Sequence, residues 1–170
     1  SDLRREKLLT KYQAAYLPNS STETQILELY HKITEALDKG KDIRFVFLDV
    51  SAAFDKVWHK GLLAKLKTFG ITGRLHKWIS NYLSNRKQRV VIEGEVSEYI
   101  SLTAGVPQGS ILGPLFFLLY INDLPDSILT NISIYADDSS LYLDYDNPDE
   151  AKTALQRDIT EIEIWSNKWL

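Results

Sequence analysis

Asp137 and Asp138 stand side by side within an apolar, β-prone run, Ile132-Ser133-Ile134-Tyr135-Ala136-Asp137-Asp138-Ser139-Ser140-Leu141-Tyr142-Leu143. Strand-formers on both sides of a two-residue acidic break read as a β-hairpin with two carboxylates at its tip, where they can bind a divalent metal. Taken alone, the stretch reads more simply as a plain turn, because Asp commonly bonds its own backbone there. A second acidic position changes that weighting. Ile43-Arg44-Phe45-Val46-Phe47-Leu48 is nearly continuous hydrophobic sequence, as in a strand buried on both faces, and it runs into Asp49. A carboxylate at the end of a central strand is costly unless it is solvated, paired or bound to metal. Asp49 is therefore a ligand candidate, whereas Asp55, six residues on, reads as structural, capping or bonding the segment that follows.

The third stretch is Ala104-Gly105-Val106-Pro107-Gln108-Gly109-Ser110-Ile111-Leu112-Gly113-Pro114, followed by the apolar Leu115-Phe116-Phe117-Leu118-Leu119-Tyr120. Its glycines and prolines describe a shaped loop whose backbone can approach a ligand, with Ser110 as a helix N-cap. The competing reading is a simple junction between a loop and a core helix.

In this order and spacing, Phe47-Leu48-Asp49-Val50-Ser51-Ala52-Ala53-Phe54-Asp55, then Gly105-Val106-Pro107-Gln108-Gly109-Ser110, then Tyr135-Ala136-Asp137-Asp138, the chain resembles the reverse transcriptases of non-LTR (LINE-type, jockey-like) retrotransposons. The likeness extends to Val57-Trp58-His59-Lys60-Gly61-Leu62-Leu63 and Tyr120-Ile121-Asn122-Asp123-Leu124, and it can be followed from about Gln13 to Leu170. It implies an α+β fold, a polymerase palm with a ferredoxin-like antiparallel sheet and packing helices plus part of the fingers, all within one domain over residues 1–170. The implied activity is RNA-directed DNA polymerisation, with a dNTP joined to a primer 3′-hydroxyl.

That reaction uses two divalent ions to clamp the attacking and leaving oxygens. Mg²⁺ is a hard ion that prefers carboxylates, phosphate oxygens and water, so aspartates without His or Cys are the expected ligands, with Mn²⁺ as a substitute. Asp49 and Asp137 are the candidates for bridging both ions. Neighbours on a strand point to opposite faces, so Asp138 is the more peripheral partner unless the turn re-aims it. The resemblance adds the Val50 carbonyl to the coordination, sets Phe54 beneath the sugar as a gate against a 2′-hydroxyl, and lines the incoming nucleotide and templating base with Gln108, Gly109 and Ser110.

The implied partners are an RNA template, a DNA primer and a dNTP, with the rest of a retroelement polyprotein in cis. The implied location is intracellular, in the nucleus, with no membrane partner. Relatives carry basic fingers residues upstream and a thumb downstream, so the chain is expected to be a fragment lacking its thumb and doubtful as a processive enzyme by itself. The chain has Ala15 where the family favours glycine, Ser20 where a basic residue is frequent, and Ala52 where lysine is frequent. A group II intron-type or telomerase-like palm polymerase is the first alternative, and a catalytically inactive nucleic-acid-binding remnant the second.

Charge is segregated along the chain. Its 170 residues carry a net −3, which excludes a uniformly basic nucleic-acid binder. From Lys56 to Arg89, however, there is no acid, and Lys56, Lys60, Lys65, Lys67, Arg74, Lys77, Arg86, Lys87 and Arg89 give nine positive charges, leaving −12 on the remainder. Such a segment reads either as a phosphate-backbone track, with Lys56, Lys60, Arg86, Lys87 and Arg89 as its contacts, or as a solvated face of two helices. The absence of cysteine excludes disulfides and thiolate metal sites. His31, His59 and His76 have no ligand spacing and read as surface or interface residues.

Several elements must position these groups. Ser20 and Glu23 form a capping-box pattern ahead of an amphipathic helix with Ile26, Leu29, Tyr30, Ile33 and Leu37 inward, stopped near Gly40. Leu62, Leu63, Leu66 and Phe69 before Gly70, then Leu75, Trp78, Ile79, Tyr82 and Leu83 after Thr72, predict two short helices packed on one another, their aromatics in the core. Residues 88–93, Gly94 and 95–102 predict a hairpin. Asn147-Pro148-Asp149-Glu150 predicts a capped helix start, with Leu155, Ile159, Ile162, Trp165 and Trp169 as its buried stripe.

Overall fold

A computed structural model describes residues 8–170, and these form two units. One consists of the described residues up to Ser51 with Ile121–Lys168; the other is Ala52–Tyr120 with Trp169–Leu170. The α+β expectation is met.

The first unit is built on a three-stranded antiparallel sheet. Strand β1 (Asp42–Leu48) pairs with the strand Asp138–Tyr145, which also pairs with Asn131–Tyr135. Register puts Phe45 opposite Tyr142 and Leu48 opposite Ser139, while Asn131 faces Tyr142 and Tyr135 faces Asp138. Opposed residues share a face. One face therefore carries Val46, Leu141, Ile132 and Ile134, of which Leu141, Ile132 and Ile134 are buried. The other carries the stacked rings of Phe45, Phe47 and Tyr142, with Ser140 and Ser133.

Helix α1 (Thr22–Asp38) starts one residue later than predicted. Its cap is Ser21, whose Oγ accepts from Thr24 N while Thr24 Oγ1 accepts from Ser21 N; a hydroxyl at the third helical position serves the box as well as the expected Glu. Gln25 bonds Ser133 on the adjacent strand. Leu29, Ile33 and Ala36 are wholly or partly covered, but Ile26, Tyr30 and Leu37 are exposed, which corrects the predicted stripe.

A long helix, Pro148–Trp169, follows the sheet in sequence and lies in this unit up to Lys168. Asn147 caps it as predicted, its Oδ1 accepting from Asp149 N at 3.0 Å. Ala151, Leu155 and Asp158 are its buried residues, whereas Ile159, Ile162 and Trp165 are only partly covered. Fully buried Asp158 accepts from the amides of Leu129 at 3.2 Å and Thr130 at 2.7 Å and pairs with Arg157.

In the second unit, α2 (Ala53–Lys56), α3 (His59–Thr68) and α4 (Gly73–Leu83) precede a ribbon and then α5 (Leu112–Ile121). Helices α3 and α4 pack together, burying Leu62, Leu66, Ile79 and Leu83. Helix α5 buries Phe116 through Ile121, and Pro114 is tolerated in its first turn, where no intrahelical amide is owed. Contrary to the prediction, Leu75 and Trp78 are exposed; the Trp78 ring stacks on half-buried Tyr82.

The ribbon has the predicted hairpin order: β2 (Lys87–Gln88) pairs with β5 (Ile100–Ser101), and β3 (Val91–Ile92) with β4 (Glu95–Val96). Between the two ladders Arg89 and Val90 face the three residues Ser97, Glu98 and Tyr99, a bulge that lets both ladders form.

One cluster in this unit is built around an ammonium. Lys65, 5% exposed, donates to Tyr120 O at 2.7 Å and lies 4.9 Å from the Tyr120 ring centroid and 4.0 Å from that of Trp169. Tyr120 Oη in turn donates to Trp169 O. Gly61 is required beside them, since a Cβ there would come within 2.6 Å of the Trp58 ring.

Candidate active site

The remaining two strands of the first sheet are β6 (Asn131–Tyr135) and β7 (Asp138–Tyr145). The Tyr135–Asp138 pair closes a two-residue turn, Ala136–Asp137. Asp137 thus lies in the turn, and Asp138 begins β7 instead of sharing the tip as the sequence suggested. Ala136 has φ 56° while Asp137 does not have positive φ, the pattern of a type II′ turn in the place where glycine is usual.

Leu48 and Ser139 are the last pair between β1 and β7, so Asp49 is the next residue on one strand as Asp138 is on the other. Asp49 and Asp138 are exposed and Asp137 is partly so. Val50 follows directly. Carboxylates far apart in sequence therefore share one end of a strand pair.

Among the described residues, no group of three or more His, Cys, Asp or Glu side chains is gathered so as to hold a metal ion by itself. The donors present are nevertheless oxygen-only and accessible. That suits Mg²⁺, which is usually held by one or two carboxylates and completes its shell with phosphate oxygens and water. A 460 Å³ cleft of the same unit, lined by Lys11, Tyr12, Gln25, Glu28, Asn131 and Tyr142 among others, contains none of these acids.

In the second unit, the loop predicted to be shaped is held by backbone. Val106 N donates to Phe54 O and Gly105 N to Val57 O, each at 2.9 Å, and His59 N donates to Thr103 O at 3.3 Å. Gly105 has φ 89°, and a Cβ on it would lie 3.1 Å from Asp55 O, so both dihedral and space call for glycine.

Gly105 O is a shared acceptor, 2.8 Å from His59 Nε2 and 3.3 Å from Arg86 NH1. A carbonyl only accepts, so His59 carries its proton on Nε2. His59 is buried, and half-buried His76 meets Leu63 O at 3.0 Å, which moves both from surface residues to structural ones.

Gln108 and Gly109 are exposed at the loop's apex. Gln108 Nε2 donates to Asp55 Oδ1 at 3.0 Å, so Asp55 is structural as expected, but its partner is distant in sequence and not in the following segment. Ser110 Oγ donates to Pro107 O at 2.7 Å and accepts from Gly113 N at 3.0 Å, which is the predicted capping role. Phe54 is half-buried and stacks on Phe117 with centroids 4.6 Å apart.

Of the nine cations in the acid-free segment, buried Lys65 is withdrawn from solvent and Arg86 is tied to Gly105 O. Lys56, Lys60, Lys87 and Arg89 are exposed, with Arg89 over the Tyr99 ring at 4.9 Å.

Sequence reasoning missed three polar anchors in the first unit. Gln13 and Asn122 hold the described N-terminal segment, and Asp123 Oδ1 accepts from Trp165 Nε1 at 3.0 Å. Asn122 and Asp123 lie in a stretch already singled out for its family likeness, the one signal that marked them.

Fold and acids together describe an α+β protein with oxygen-donor groups at the end of an antiparallel strand pair. The model of the family described as reverse transcriptase (RNA-dependent DNA polymerase) matches residues 1–170, and the chain belongs to that family. It is 31% identical to a probable RNA-directed DNA polymerase from transposon BS of Drosophila melanogaster, over 96% of this chain and 19% of that protein. It is 32% identical to the RNA-directed DNA polymerase from mobile element jockey of Drosophila funebris, again over 96% and 19%. With the Pol polyprotein of the type-1 retrotransposable element R2 of Popillia japonica it shares 31% identity over 61% of this chain and 17% of that protein. The chain spans about a fifth of the length of the first two relatives. The non-LTR resemblance drawn from motif order is therefore borne out, and the family generally uses divalent metal ions.

Proposed function

We propose that this chain carries the nucleotidyl-transfer residues of an RNA-directed DNA polymerase from a non-LTR retroelement, with a palm and part of the fingers, acting on an RNA template, a DNA primer and a dNTP. The observation that carries the reading is the shared strand end of Asp49, Asp137 and Asp138. Two bound Mg²⁺ ions would supply the clamp on the attacking 3′-oxygen and the leaving phosphate oxygen.

Asp49 and Asp137 would be the main carboxylates holding the ions, with Asp138 a more peripheral one and Val50 offering its carbonyl. The rigid β1–β7 ladder supports this role by fixing the backbone just before Asp49 and just after Asp138. Phe54, backed by Phe117, serves as the platform that disfavours a ribose 2′-hydroxyl. Gln108, Gly109 and Ser110 line the nucleotide. Both Gln108 and Ser110 are already tethered, so the loop enters the reaction with little side-chain freedom left to lose. Lys56, Lys60, Lys87 and Arg89 contact phosphates and leave sequence choice to base pairing.

The test is dTTP incorporation on a poly(rA) template with an oligo(dT) primer, using the full open reading frame that contains this chain. Asp49→Asn and Asp137→Asn should each lower the rate at least about a hundredfold, in the range seen when a transition-state charge stabiliser is removed. Activity within tenfold of wild type in either variant refutes the assignment.

A further inference from the structure

One buried side chain grips both polar groups of the turn residue preceding Asp137. Gln13 is 2% exposed and lies beside the edge strand β6, where Ala14 N donates to Ile134 O and Ile134 N to Tyr12 O, each at 2.9 Å. From there its side chain passes the end of the strand. Oε1 accepts from Ala136 N at 3.0 Å and from Ala15 N at 2.8 Å, while Nε2 donates to Ala136 O at 3.5 Å. Two amide donors converge on one atom, so that atom must be the oxygen, and the orientation of the amide follows from its partners. Asn122 fastens the same segment further back, accepting from Thr10 N at 2.7 Å and donating to Leu8 O at 3.0 Å.

The grip falls where the backbone needs it. Ala136 holds φ 56° without being glycine, a conformation that persists only when its surroundings impose it. The peptide joining Ala136 to Asp137 is also the one whose orientation sets the direction of the Asp137 side chain.

We propose that Gln13 is a positioning residue for Asp137: it locks the Ala136 peptide groups and so fixes the turn that aims the carboxylate, without touching metal or substrate itself. This rests on the metal-binding reading of Asp137.

Amide hydrogen exchange on the chain, wild type against Gln13→Met, reads the lock directly. Methionine keeps the length and removes the acceptor, so exchange at Ala136 and Ala15 should quicken about tenfold or more, the equivalent of one lost buried hydrogen bond. Exchange at Ala14 and Ile134, which report docking of the segment, should stay slow. Equal quickening at all four amides, or no change at Ala136, overturns the proposal. Direct Mn²⁺ titration by electron paramagnetic resonance adds the consequence: affinity should fall about fivefold or more in Gln13→Met.

Asp158→Asn, which disturbs buried polar groups elsewhere in the same unit, is the control for general loosening. If it weakens Mn²⁺ binding as much, or if Gln13→Met binds as wild type does, the positioning role is refuted alone. No Mn²⁺ binding by wild type sinks the polymerase reading and this proposal with it. Should Gln13→Met not fold, the wild-type exchange decides. Protection at Ala136 comparable to Ile134 supports the lock, and exchange as fast as at Gly94 in the exposed ribbon turn overturns it.

Discussion

Replacing Lys87 and Arg89 together by alanine should flatten the salt dependence of template–primer binding, whereas Lys65→Met should leave it unaltered. Lys87 and Arg89 project from an exposed ribbon, but Lys65 is enclosed by Tyr120 and Trp169 and spends its charge on a carbonyl and two rings. Each phosphate contact contributes about 0.7–0.9 to the slope of log K against log salt, so losing two lowers it by about 1.4–1.8. Between about 50 and 200 mM KCl that change amounts to roughly a tenfold smaller loss of affinity for the double variant than for wild type. Fluorescence anisotropy with two RNA–DNA hybrids of unrelated sequence measures it, and the effect should be the same on both. An unchanged slope in the double variant, or a reduced slope in Lys65→Met, would refute the division of this segment into exposed and internal charges.

Asp158→Ala should cost about 1–3 kcal/mol, because it removes the acceptor of the part-buried Leu129 and Thr130 amides and the partner of Arg157; a urea midpoint equal to wild type would show that Asp158 is not the anchor described. Phe54→Ala should lose about 2–4 kcal/mol with its stack on Phe117 and also relax discrimination against ribonucleotides in primer extension. Reduced stability with unaltered selectivity would leave Phe54 as packing alone. Burial pushes the Tyr142 hydroxyl above the ordinary tyrosine range. The neutral ring is thus favoured by folding, and its contribution is whole below about pH 10 and lost as pH climbs through the raised value. Tyr142→Phe should therefore lose less stability than wild type in alkaline urea titrations; parallel losses would remove Tyr142 as a cause.

Local pattern carried much of this fold. The hydrophobic run before Asp49, the break at Ala136-Asp137, the glycine-shaped loop and the Asn147 cap are each written in neighbouring residues, so their placement was legible to within about a residue, although the run forms an edge strand with Phe47 exposed and not the expected central strand buried on both faces. What was not legible depends on partners far along the chain. His59 and Lys65 read as surface groups, and Asp158 drew no reading, because nothing nearby announces the Gly105 carbonyl, the Tyr120 carbonyl and rings, or the Leu129 and Thr130 amides that make their burial tolerable. Likewise, the period of α1 marks an amphipathic helix but does not say which apolar row is covered, and Ile26, Tyr30 and Leu37 proved exposed. The strand end of Asp49 could be seen, but not its register against Asp138.

The aromatic cover over Lys65 has a practical corollary for anyone trimming this sequence. Its nearer ring is that of Trp169, whose carbonyl also receives the Tyr120 hydroxyl. A clone ending after Lys168 would remove both at once, leaving an ammonium beside vacated space and a tyrosine without that acceptor. Such a product could fail in solubility or assay while every carboxylate remained in place. Trp169 therefore sets the shortest sensible C-terminal boundary, and a negative result from a shorter clone says nothing about Asp49, Asp137 or Asp138.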